Sequence, residues 1–121
     1  QPIGLASSDP ADGSQAVLSG WGVTTYPGSI SNELRYIQLS TMPLAQCKDR
    51  LSGVFPLGST NVCTVNAAGQ GACDGDSGGP LTVDGVQVGV SSWGVPCAIG
   101  APDVYTSVAP HGQWIQDNTG I

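Results

Sequence analysis

Near the middle of the chain, the ten residues from Ala72 to Leu81 read ACDGDSGGPL, with one serine set among glycines, aspartates and a cysteine. Glycine is costly to order and belongs where a backbone takes positive φ or where something must approach closely. Its concentration around the Ser77 hydroxyl therefore reads as a built site. A serine hydroxyl is a weak nucleophile until a neighbouring base takes its proton, and the single histidine of the chain is His111. The competing reading is a surface turn, because Gly, Asp, Ser and Pro are also the residues that turns select.

No other cluster offers different chemistry. Cys47, Cys63, Cys73 and Cys97 are spaced by 16, 10 and 24, with no C-x-x-C. With one distant histidine this is a poor zinc set, so no metal and no cofactor are expected. Four cysteines allow three disulfide pairings, and an even count in a glycine-rich chain of low charge favours an oxidising, extracellular setting over four reduced core thiols.

The elements that must position Ser77 follow from pattern. Gln15–Val23 and Glu33–Leu39 read as strands separated by turn-rich sequence, Leu44–Leu51 as about two turns of helix, and Asn61–Val65 as a short strand. Leu81–Val83 and Val86–Val90, joined by Asp84-Gly85, form a hairpin that favours a type I′ turn. Asp103–Val108 supplies a last strand, and a short helix from His111 closes the chain. With 121 residues, 18 Gly and 9 Pro spread along them, and no strand-helix alternation, the pattern predicts one all-β domain over residues 1–121. Its architecture is a six-stranded antiparallel barrel with a short C-terminal helix. Trp21 and Trp114 are expected in the core.

The formal net charge is −6, with Arg35, Lys48 and Arg50 the only basic residues. No basic stripe exists to neutralise phosphates, so nucleic acid is not an expected partner. Apolar runs are too short for a membrane helix, and none is expected.

Gly75–Pro80, GDSGGP, arises by chance from this composition with probability on the order of 10⁻⁴, and it resembles the nucleophile motif of chymotrypsin/trypsin-family serine proteases. SGWG at Ser19–Gly22, SSWG at Ser91–Gly94 and PDVYTSV from Pro102 fall in the family's order. The resemblance implies the second barrel of a two-barrel protease, the histidine and aspartate of the triad belonging to a first barrel. This sequence has no TAAHC-type segment and no IVGG-type start, and His111 falls where the family keeps no base. A secreted serine endopeptidase is implied, with an N-terminal chain of the same precursor as non-covalent partner and Gln1 marking a cut in the connector.

Residue by residue, the resemblance makes Ser77 the nucleophile and the N–H groups of Gly75 and Ser77 the oxyanion hole. Asp76 becomes the acceptor for the ammonium freed on zymogen cleavage. It implies disulfides Cys47–Cys63 and Cys73–Cys97. The substrate pocket falls to Gly71, Ala72, Asp74, Ser92, Trp93, Gly94, Pro102 and Asp103, with Ser92 and Gly94 pairing to an extended peptide and Trp93 beside it. Protein or peptide substrates and protein protease inhibitors are the implied partners.

Two positions depart from trypsins, which keep an aspartate where Gly71 stands and a glycine where Asp103 stands. That pairing is similar to arthropod chymotrypsins and crustacean collagenolytic proteases, and points to a digestive enzyme. A desolvated Asp103 facing the pocket would favour Lys or Arg in the substrate, whereas one turned toward water or a wall hydrogen bond leaves an apolar slot for aromatic residues or leucine. The expected preference is broad, apolar first with some basic cleavage. The alternative function is a non-catalytic homologue or half-barrel acting as a binding module. An esterase elbow is disfavoured, because a hairpin rather than a helix follows the serine.

Overall fold

The structure is a computed structural model that describes residues 2–24, 28–51, 57–65, 71–73, 75–94 and 100–121. Alternation of apolar and polar residues builds strands β2 (Gln15–Gly20), β3 (Arg35–Met42), β4 (Asn61–Val65), β5 (Pro80–Val83), β6 (Val86–Gly94) and β7 (Asp103–Ser107). In spatial order β2, β3, β4, β7, β6 and β5 are joined antiparallel, and β5 pairs back onto β2, closing a six-stranded barrel. A two-residue strand, β1 (Gly4–Leu5), runs parallel to the start of β6 outside the barrel. No pattern in two residues could have announced it.

The hairpin forms as expected. Val83 lies opposite Val86, and both turn residues have positive φ, 52° at Asp84 and 78° at Gly85, which is the type I′ requirement. Strand β2 stops at Gly20, short of the expected Val23, because the chain there leaves the sheet to pass the Asp76 carboxylate. Strand β3 runs on to Met42, three residues past the expected end.

Alternate residues of the strands fill two clusters. Ala16, Leu18, Leu39, Val62, Leu81, Val88 and Tyr105 form one. Met42, Cys47, Leu51, Leu57, Cys63 and Val104 form the other, under helix α1 (Leu44–Arg50). A disulfide joins Cys47 of α1 to Cys63 of β4, locking the helix to the wall that carries β7.

The terminal helix α2 (Gly112–Thr119) follows a 3₁₀ turn at Ala109–His111 and buries no residue. Two expectations about the core are corrected here. Trp21 is 51% exposed and Trp114 65%, since Trp21 lies beyond the end of β2 and Trp114 sits on a helix with no buried face. Among the described residues, no helix is long and apolar enough to cross a membrane.

Candidate active site

Ser77 lies on the loop between β4 and β5, and a series of backbone hydrogen bonds shapes that loop. Asp76 N–H donates to the Cys73 carbonyl (3.0 Å) and Gly79 N–H to the Asp76 carbonyl (3.0 Å), so two successive tight turns flank the serine. Gly78 N–H donates to the Ser91 carbonyl (2.8 Å), and Ser91 N–H returns to the Gly79 carbonyl (2.9 Å). The loop is thereby stitched onto β6, and Ser77 is left exposed.

Around the serine, from Cys73 to Gly79, two donors differ from their neighbours. The N–H groups of Cys73, Asp76, Gly78 and Gly79 all have protein acceptors. Those of Gly75 and Ser77 have none among the described residues. Gly75 has φ +95°, a conformation that L side chains rarely adopt, and a Cβ there would stand 3.2 Å from Gly22 Cα. The glycine is needed for both its dihedral and its lack of bulk.

Asp76 is half-buried, and its carboxylate accepts two backbone hydrogen bonds, from Gly22 N–H to Oδ1 (2.9 Å) and from Cys73 N–H to Oδ2 (3.0 Å). Ideal Cβ atoms on Gly20 or Gly22 would fall onto its carboxylate oxygens. The two glycines of SGWG are therefore the cradle of Asp76. Sequence reasoning used that segment for recognition and missed its role, although the G-W-G spacing around an otherwise well-formed strand end was a usable signal.

Asp103 is buried at the start of β7, and its Oδ2 accepts the Ala72 N–H at 2.7 Å. A Cβ on Gly94 would stand 2.6 Å from the other oxygen, Oδ1. Ala72, Gly94 and Asp103 are thus brought together, with buried Pro102 beside them and half-buried Gly71 next to Ala72. One oxygen of the carboxylate is thereby engaged by a backbone N–H.

Ser92 to Gly94 form the far end of β6. Ser91 pairs with Tyr105 and Trp93 with Val104, so Ser92 is the extra residue of a β-bulge and is exposed. A bulge re-aims side chains locally, and Trp93 packs against the second core cluster, as Leu44 does. On the side of β6 away from β7, the ladder to β5 ends at Val90. Among the described residues no strand pairs with Ser92–Gly94 on that side.

Behind these groups lies Tyr105, fully buried, its hydroxyl 3.1 Å from Thr64 Oγ1. Burial pushes the phenol well above the usual tyrosine range; the Thr64 hydrogen bond opposes this, and the Asp103 and Asp76 carboxylates add to it. Tyr105 stays a neutral wall.

His111 is half-buried, with Nδ1 2.7 Å from the Ser107 carbonyl, a position that ties the 3₁₀ turn to β7. Cys73 is disulfide-bonded, and no described cysteine is free. Its expected partner Cys97, and Asp74 of the expected pocket, lie outside the described residues. Among the described residues, no group of three or more His, Cys, Asp or Glu side chains is gathered as metal ligands would be.

The fold is thus a closed antiparallel barrel that presents an exposed serine on a double-turn loop, flanked by two N–H groups with no acceptor among the described residues and by a carboxylate cradled by glycines. The chain matches the family described as Trypsin over residues 1–115. It is 44% identical to chymotrypsin-2 of Vespa crabro over 119 residues, which cover 98% of this chain and 53% of the relative. Trypsin delta of Drosophila melanogaster is also 44% identical over 119 residues, covering 96% of this chain and 47% of that protein. Among solved structures, neuropsin, a serine protease expressed in the limbic system of mouse brain, superposes with a TM-score of 0.90 at 33% identity, over 98% of this chain and 53% of neuropsin. The chain belongs to the trypsin family of serine proteases, and it spans about half the length of these relatives.

Proposed function

We propose that this chain is the serine-bearing barrel of a secreted digestive endopeptidase, completed by a first barrel that supplies the histidine and aspartate. The observation that carries the reading is the selectivity of the loop. Of the described N–H groups from Ala72 to Gly79, those of Gly75 and Ser77 have no acceptor among the described residues, and they flank the exposed hydroxyl. In the proposed reaction Ser77 Oγ attacks the scissile carbonyl carbon as the histidine takes its proton. The carbonyl oxygen becomes an oxyanion held by the two N–H groups. The C–N bond then breaks, the amine leaves with the proton, and water hydrolyses the acyl-serine.

Three further observations support the partner and substrate parts of the reading. Trp21, Ile30, Leu34, Tyr36 and Trp114 are large and each more than half exposed, the exposure expected of side chains that a further barrel covers. Cys47, Cys63 and Cys73 are already in disulfides, so the association is proposed to be non-covalent and between two chains of one precursor. Strand β6 continues past the end of its ladder to β5 through the exposed Ser92, an edge proposed to receive an added substrate strand, and protein protease inhibitors would dock there in the same way.

Asp103, held on the Ala72 N–H, leaves the pocket predominantly apolar. The preference is proposed as aromatic residues and leucine first, with minor cleavage after Arg and Lys. Intact-mass analysis of the purified protein should show a second component of roughly 100 residues, the size of one further barrel. Peptide-library profiling of that material should show the apolar preference. Cleavage confined to Arg and Lys overturns the specificity, and a folded two-barrel protein that cleaves nothing overturns the enzyme in favour of a binding module.

A further inference from the structure

Arg50 ends helix α1, and its Nη2 donates to the Gly100 carbonyl at 2.7 Å across a sequence separation of 50. It is one of three basic residues in the chain. Its side chain leaves a rigid platform, since Leu51 N–H caps the helix on the Cys47 carbonyl (3.0 Å) and Cys47 is bonded to Cys63 of β4. Gly100 has φ +88° and lies three residues before Asp103. The segment it anchors leads through buried Pro102 to the carboxylate that accepts the Ala72 N–H.

We propose that Arg50 is a positioning residue for substrate specificity: by clamping the Gly100 carbonyl, it holds the Asp103 carboxylate on the Ala72 N–H and so keeps the pocket apolar. The specificity part rests on the endopeptidase reading above. A guanidinium–carbonyl bond is charge-assisted and directional, so it fixes the wall in a way that a surface methylene stem cannot. When the clamp is lost, the wall can relax. The carboxylate then exchanges its backbone donor for a basic substrate side chain.

The test compares wild type, Arg50→Gln and Arg50→Lys in the two-barrel protein, with kcat and KM measured on matched phenylalanine and arginine substrates after active-site titration. Arg50→Gln should lower the Phe-to-Arg ratio of kcat/KM by about 5- to 10-fold, within the range that small changes of pocket contact produce. The change should appear mainly in KM. Arg50→Lys, a point donor that still reaches a carbonyl, should recover part of the ratio. A residue that only stabilises the fold would lower the active fraction and leave the ratio alone.

Amide hydrogen exchange of Ala72 gives a second readout that needs no turnover. It should accelerate several-fold in Arg50→Gln, while Leu18 and Leu39 in the barrel keep their wild-type rates. A Phe-to-Arg ratio within twofold of wild type, or an unchanged Ala72 rate, overturns the proposal. If wild type cleaves neither substrate, the endopeptidase reading fails by itself, and the Ala72 rate still decides whether Arg50 positions the wall.

Discussion

Replacing Asp76 by asparagine isolates the central piece of the loop geometry. The aspartate satisfies the Gly22 and Cys73 N–H groups with its two oxygens, and asparagine keeps the shape while offering only one oxygen. Its NH₂ group must then face one of the two backbone donors. A lost hydrogen bond to a charged acceptor is worth about 1.5–3 kcal/mol, and half-burial of the site places the expected cost near 2 kcal/mol. For a two-barrel protein of about twice this length that corresponds to a fall of about 6 °C in Tm. Thermal and urea unfolding of the two-barrel protein should register it, and Ser77→Ala, which alters an exposed hydroxyl, should stay within about 0.5 kcal/mol of wild type. Because Asp76 shapes the turn that presents Gly75 and Ser77, kcat/KM should also fall, by about 10²- to 10³-fold if one oxyanion donor is displaced. An Asp76→Asn protein as stable as the Ser77→Ala control would refute the reasoning.

Gly22→Ala should mimic that variant with the carboxylate still present, because its Cβ lands on the Asp76 carboxylate; comparable unfolding midpoints for the two proteins check this. Gly94→Ala should push the Asp103 carboxylate off its wall position, since the new methyl would stand 2.6 Å from Oδ1, and the Ala72 amide exchange rate reports the displacement. Reducing Cys47–Cys63, or replacing both cysteines by serine, opens a loop spanning 16 residues and should cost about 3 kcal/mol, read by urea unfolding. Tyr105 gives the pH prediction. Its phenol is raised by burial, so its contribution to stability is full below the unfolded tyrosine pKa of about 10 and is lost as pH rises from there toward the higher folded value. Phenolate absorbance from Tyr105 should therefore appear together with alkaline unfolding, and the coupled step should vanish in Tyr105→Phe.

The barrel was readable because its signals are local. Asp84-Gly85 between two β-rich runs specifies a hairpin, and Leu44–Leu51 has the spacing of a helix seated on the core through Cys47 and Leu51. The reading failed where position depends on partners distant in the chain. Trp21 and Trp114 look like core residues by type, yet the two ends that carry them bury no such face. The bulge at Ser92 depends on a register between β6 and β7 that neither strand states alone. Gly20 and Gly22 are explained by a carboxylate more than fifty residues downstream. At Asp103, residue type left the orientation of the carboxylate open, and the 2.7 Å contact of Oδ2 with Ala72 N–H comes from a residue thirty-one positions upstream that the type alone does not name.

The most direct test of the central claim is active-site labelling. The two-barrel protein treated with a fluorophosphonate should carry one covalent adduct, located by peptide mass spectrometry on Ser77 and absent from Ser77→Ala. A folded protein that takes no adduct at Ser77 would contradict the account.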